Sequence, residues 1–142
     1  MIGVAAGMAL EGLKPWVYTI TPFLIERPFE QLKLDIDQQN VNVKLVGFAD
    51  YPTLGPTHSE LDGKKLMKLF QNIKSYFPID GDDTERIIRQ AYQKDGPTFI
   101  SLKTDPSLSR SITGEDRNGK HTSELQSLVK LVCRLLLEKK NY

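Results

Sequence analysis

Short runs of β-branched and aromatic residues alternate with longer stretches of helical spacing, and this alternation restricts the chain to one class of fold. The runs are Pro15-Trp16-Val17-Tyr18-Thr19-Ile20, residues 43–48 (VKLVGF), the shorter Ile73 to Phe77 stopped by Pro78, and Thr98-Phe99-Ile100-Ser101-Leu102. Each reads as a strand, and the first as a buried one. Between the first two, residues 24–38 place Leu24, Phe29, Leu32 and Ile36 near one helical face, with Pro28 in a first turn that tolerates proline. Residues 63–71 predict a short helix. Asp82 or Asp83 can cap another, which runs to about Lys94 and is ended by Gly96-Pro97. Ahead of the first strand, residues 2–12 predict a helix of small residues. Ala5, Ala6 and Ala9 favour it, Gly3 and Gly7 would let a neighbouring backbone approach, and Gly12 suits its end. Strands and helices in this order predict an α/β fold, a mostly parallel sheet flanked by helices, with ligands beyond the carboxyl ends of the strands.

The organisation predicted is a domain over 1–103, a linker over 104–121 rich in serine, glycine and mixed charge, and an amphipathic helix over 122–142. The helix carries an apolar stripe within 123–139 that either folds back on the sheet or packs on another chain. The 142 residues suffice for one real core. A formal net charge of +1 gives no reason to expect nucleic acid or an anionic membrane as a partner. Cys133 is the only cysteine, so an intrachain disulfide is excluded and a cysteine-based zinc site disfavoured. No apolar run approaches the roughly 18 residues of a membrane span, and the first residues lack the basic start of a signal peptide. The expectation is a soluble, cytoplasmic protein.

Three segments could carry chemistry. In Thr21-Pro22-Phe23-Leu24 with Phe29-Glu30-Gln31, two aromatics stand at a strand-to-helix junction where a flat heterocycle could stack; ordinary core phenylalanines look the same. In Gly55-Pro56-Thr57-His58, a histidine held by a turn suits proton transfer or hydrogen bonding to a substrate oxygen; a surface-loop histidine looks the same. Gly3-Val4-Ala5-Ala6-Gly7 could admit a ligand or a partner helix. His121 reads as solvated. No Walker A lysine, G-x-S-x-G, H-E-x-x-H or cluster of metal ligands is present, and no residue is assigned to a metal.

Taken in order, IGVAAGMALEGLKPWVYTITPFLIERPFEQ, GPTHSELD and DGPTFISL resemble the pyrimidine-binding domain of transketolases and deoxyxylulose phosphate synthases, over about residues 2–103. The resemblance implies thiamine diphosphate with magnesium as cofactor and transfer of a two-carbon ketol unit between sugars or sugar phosphates. It implies that Phe23 stacks on the aminopyrimidine, that Phe29 is the second aromatic of that pocket, and that His58 reaches toward the sugar oxygens. Ile2 to Gly7 match a helix at a subunit interface.

The departures from the family pattern bear on activity. The family's activating glutamate lies just before the segment equivalent to Met1-Ile2-Gly3, and Glu11, Glu26, Glu30 and Glu60 fall at other motif positions. Leu54 stands where many transketolases carry an acidic residue, and Lys103 is one place out of register with a basic residue of some members. The diphosphate- and metal-binding domain and the carboxyl-terminal domain have no counterpart in these residues. The reading is therefore the pyrimidine-binding part of a transketolase-like enzyme, inactive alone, that self-associates or works with a diphosphate-binding partner subunit. The alternatives are a non-catalytic remnant or interaction module that keeps the fold, and a native protein that begins further upstream.

Overall fold

The computed structural model describes residues 1–48, 55–59 and 61–102. Four parallel strands form one sheet in the order β1-β2-β4-β3: β1 (Trp16–Ile20), β2 (Lys44–Phe48), β3 (Lys74–Tyr76) and β4 (Thr98–Leu102). The predicted α/β class and parallel sheet are what the chain adopts. The linker over 104–121, the helix over 122–142 and the positions Leu54, Glu60, Lys103, His121 and Cys133 lie outside the described residues.

The central strands are the continuous apolar runs. Every residue of β4 is buried, as are Lys44 to Gly47 of β2, which is the pattern of strands covered on both faces. The first strand differs from expectation. Among the described residues Trp16–Ile20 lies at the edge of the sheet, and within it only Val17 is buried. An apolar run shows that a strand forms, but its neighbours decide how far it is covered.

Helix α1 (Ile2–Leu10) packs inward through Ile2, Ala5 and Ala6. Its end is a Schellman motif: the Leu13 N–H donates to the Met8 carbonyl at 3.1 Å and the Gly12 N–H to the Ala9 carbonyl at 3.0 Å. This arrangement needs the left-handed φ of 85° that Gly12 supplies. Gly3 and Gly7 are exposed, and a Cβ on Gly7 would meet nothing within 4 Å. Within the described residues, then, no backbone approaches α1 at Gly7, and alanines rather than glycines make the inward contact.

The single helix expected over 24–38 is broken. Helix α2 (Thr21–Ile25) starts directly from β1, residues 26–28 turn, α3 (Phe29–Gln31) follows, and a π-helical turn spans Leu32–Asp37. Pro28 stands at the N-cap of α3, and the proline ring cannot continue an upstream helix without clashing. In the π turn the Gln38 N–H reaches the Lys33 carbonyl at 3.0 Å, and the consecutive residues Ile36 and Asp37 are both buried. The Asp37 carboxylate then accepts backbone N–H bonds from Gln71 (3.1 Å), Asn72 (2.7 Å) and Ile73 (3.0 Å), fixing the approach to β3.

Helix α4 (Gly63–Met67) is capped by Asp62 and is shorter than expected. Helix α5 (Gly81–Gln93) is capped by Asp80, whose Oδ1 accepts the Asp83 N–H at 2.8 Å. Asp82 and Asp83, the expected caps, lie in its first turn instead, and Asp83 accepts the Ile79 N–H at 3.2 Å. No helix among the described residues is long and apolar enough to cross a membrane.

Two close approaches lock the layers. Gly47 in β2 lies under the start of α2: a Cβ there would stand 2.8 Å from Thr21 Oγ1, 3.3 Å from Thr21 Cα and 3.2 Å from the Phe99 ring. At the opposite end of the sheet Lys44 is fully buried. Its Nζ donates to the Lys94 carbonyl at 2.9 Å and the Gly96 carbonyl at 2.7 Å, with Thr98 Oγ1 at 3.5 Å. Burial, and after it the positive charge of Lys14, lowers the Lys44 ammonium from its ordinary 10.5 to about 8, although Asp95 acts the other way.

Candidate functional site

The junction at the carboxyl end of β1 builds the site. Ile20 ends the strand and Thr21 begins α2 without an intervening loop, so Phe23 is carried just beyond the sheet edge. Thr21, Pro22, Leu24 and Ile25 are buried and anchor that helix, while Phe23 is half-buried. The fixed φ of Pro22 suits the first turn.

His58 arrives from a loop 35 residues downstream. Gly55, with φ 97°, turns the chain into a 3₁₀ turn over Pro56–His58, and the His58 N–H closes it on the Gly55 carbonyl at 3.0 Å. Glu26 then ties the loop to α2, because its Oε1 accepts the Leu61 N–H at 2.6 Å. The result is an edge-on contact between the His58 and Phe23 rings, with centroids 4.9 Å apart and planes 64° apart. Nδ1 of His58 is engaged with Thr57 Oγ1 at 3.0 Å. Of the three expected site residues, the fold brings Phe23 and His58 together.

Phe29 meets a different ring. Its ring packs on Phe70 at 5.2 Å and belongs to the rim of the hydrophobic core. Phe23 instead borders a cavity of about 410 Å³, with Met1 and Ile2 at the start of α1 on one side and Arg27, Pro28, Glu30 and Gln31 on the other. The Arg27 guanidinium carbon lies 3.9 Å from the centre of the Phe23 ring. The cavity thus has an aromatic wall, a cation, a carboxylate and an amide, enough to take a flat heterocycle with polar edges.

Sequence reasoning missed Glu26 and Arg27. Glu26 carried no signal beyond being a glutamate, since its loop partner lies 35 residues away. Arg27 had one: it stands four residues after Phe23, where side chains at helical spacing meet. Among the described residues, no group of three or more His, Cys, Asp or Glu side chains could hold a metal ion.

Comparison with known proteins gives a consistent picture. The family Transketolase, pyrimidine binding domain, matches residues 1–105. The chain is 38% identical over 105 residues to an apulose-4-phosphate transketolase subunit of Actinobacillus succinogenes, covering 72% of this chain and 34% of that protein. It is 35% identical over 101 residues to 1-deoxy-D-xylulose-5-phosphate synthase of Thioalkalivibrio sulfidiphilus, covering 68% of this chain and 15% of that one. Among solved structures, a split-gene transketolase described as an inactive β4 tetramer superposes with TM-score 0.65 and 28% identity, over 72% of this chain and 33% of that chain. The chain therefore spans about a third or less of the length of these relatives.

Proposed function

The chain belongs to the transketolase pyrimidine-binding domain family, and from that premise we propose that it forms the aminopyrimidine half of a thiamine diphosphate site whose other half is supplied by a diphosphate-binding partner subunit or domain. The observation that carries the reading is the cavity bordered by Phe23, with His58 set against the same ring at 4.9 Å. Phe23 offers a half-buried aromatic wall to a flat, polar-edged ring, and offset or edge contacts of this kind are worth about 0.5–1.5 kcal/mol beyond burial. We assign the diphosphate and its magnesium ion to the partner, since the family the chain matches is the pyrimidine-binding domain. When bound, the cofactor supplies the nucleophilic carbon for transfer of a two-carbon ketol unit between sugars or sugar phosphates.

In this reading the chain's own residues bind and orient. Phe23 sets the plane of the pyrimidine. His58, with Nδ1 occupied by Thr57, presents Nε2 to a sugar oxygen for hydrogen bonding. Phe29 supports the pocket from behind through Phe70. By itself the chain is expected to transfer no ketol unit, in keeping with the solved split-gene relative, which is described as an inactive β4 tetramer.

The test is calorimetric titration of thiamine diphosphate and magnesium into the chain, alone and with a diphosphate-binding subunit. Binding that requires the subunit and is lost in Phe23→Ala supports the assignment. Tight binding to the chain alone overturns the split-site reading. No binding under either condition leaves the fold without its cofactor role.

A further inference from the structure

Arg27 stands over the Phe23 ring at the edge of the cavity. Its guanidinium lies 3.9 Å from the Phe23 ring centre, and both side chains border the same cavity. The contact is local in origin. Phe23 and Arg27 are four residues apart, and the Arg27 N–H still bonds the Pro22 carbonyl at 3.3 Å, so the turn that ends α2 carries the cation onto the ring. Arg27 is exposed and forms no ion pair among the described residues. A guanidinium over a phenyl face at an exposed site is held weakly. Glu30 borders the same cavity three residues further along and likewise has no ion-pair partner among the described residues. A released guanidinium therefore has a carboxylate lining the same cavity to move toward.

We propose that Arg27 is a displaceable cover on Phe23: in the free chain it occupies the ring face that an aminopyrimidine takes, and on binding it moves to Glu30. The inference rests on Phe23 being the platform for that heterocycle. Its consequence is selectivity. A ligand gains the site only if it stacks on the ring better than the guanidinium does, which a planar heterocycle achieves and a small non-planar polyol does not.

Thiamine, which carries the aminopyrimidine without the diphosphate, is the probe. It is titrated into the chain paired with a diphosphate-binding subunit while NMR follows the Phe23 ring protons and the Arg27 Nε–H. Arg27 should leave its ring-shifted position as thiamine binds. Arg27→Gln should bind thiamine about twofold to fivefold more tightly, the worth of an exposed cation–π contact. Glu30→Gln should bind about twofold more weakly, the worth of an exposed ion pair. Phe23→Ala should not bind. An Arg27 that stays stacked at saturation, or an Arg27→Gln chain that binds no better than the parent, overturns the cover. If Phe23→Ala has meanwhile lost binding, the stacking role survives. If Phe23→Ala binds as the parent does, or neither the parent nor Arg27→Gln binds, the stacking role falls and the cover falls with it.

Discussion

Gly47 is the position where one added carbon should be felt most clearly. Gly47→Ala places a Cβ 2.8 Å from Thr21 Oγ1, 3.2 Å from the Phe99 ring and 3.3 Å from Thr21 Cα. Carbon atoms rest comfortably at about 3.5–4.0 Å, so all three contacts are too short. The hydroxyl could rotate away, but Thr21 Cα is backbone and Phe99 is fully buried, so relief requires α2 to shift by tenths of an ångström. Overpacking of this kind costs about 1–3 kcal/mol. The backbone at Gly47 has no positive φ, so alanine returns about 0.4–1 kcal/mol by restricting the unfolded chain. The net loss is about 1–2 kcal/mol, or roughly 4–8 °C in Tm for a chain of this size. Thermal unfolding followed by circular dichroism reads it directly. Thr21→Ala removes the nearest atom but leaves the Cα and ring contacts, so the double variant should be more stable than the sum of the single effects requires. A Gly47→Ala chain that melts with the parent, or strictly additive effects, would refute the reasoning.

Two further outcomes follow from the polar contacts in the core. Asp37→Ala strips the acceptor from three backbone N–H groups at residues 71–73. It should cost about 3 kcal/mol in urea unfolding, and Asp37→Asn distinctly less, since it keeps one acceptor oxygen. For Lys44, the folded chain titrates at about 8, below the ordinary 10.5, so the folded state prefers the neutral amine. The penalty is full below pH 8 and is relieved as pH rises from 8 toward 10.5. Relative to Lys44→Met, the parent should gain stability across that window by at most about 1.4 kcal/mol per pH unit. A difference that stays flat from pH 7 to 10 would contradict the burial argument.

The central strands and helix α5 were legible because residues 43–48, 98–102 and 81–93 carry strong, unambiguous patterns with clear stops. The seat of Phe23 was legible for the same reason, since it follows β1 directly, and His58 was legible from the Gly55-Pro56 turn that holds it. What failed depended on partners distant in sequence. Leu24, Phe29, Leu32 and Ile36 are spaced by five, three and four, and the step of five around Pro28 is where the helix breaks. Asp37 shows its purpose only once residues 71–73 arrive beside it. The edge placement of Trp16–Ile20 is invisible locally, because an apolar run reads alike at an edge and at a centre. Asp80 beat Asp82 and Asp83 as the cap because any of three nearby aspartates could have served, and the extended backbone at Asp80 decided it.

The strand order also sets a timetable. The last strand of the described chain, Thr98–Leu102, sits between β2 and β3 and is the only bridge joining them among the described residues. As the chain leaves the ribosome, β1 and β2 can pair early, but β3 has no neighbour until residue 98 emerges. Pairing β2 with β4 closes a loop of about fifty residues, an entropic cost that contact-order arguments associate with slow folding. Until then the β2 edge stays open to other chains, so the interval between synthesis of residues 48 and 98 is when this domain is most exposed to mispairing.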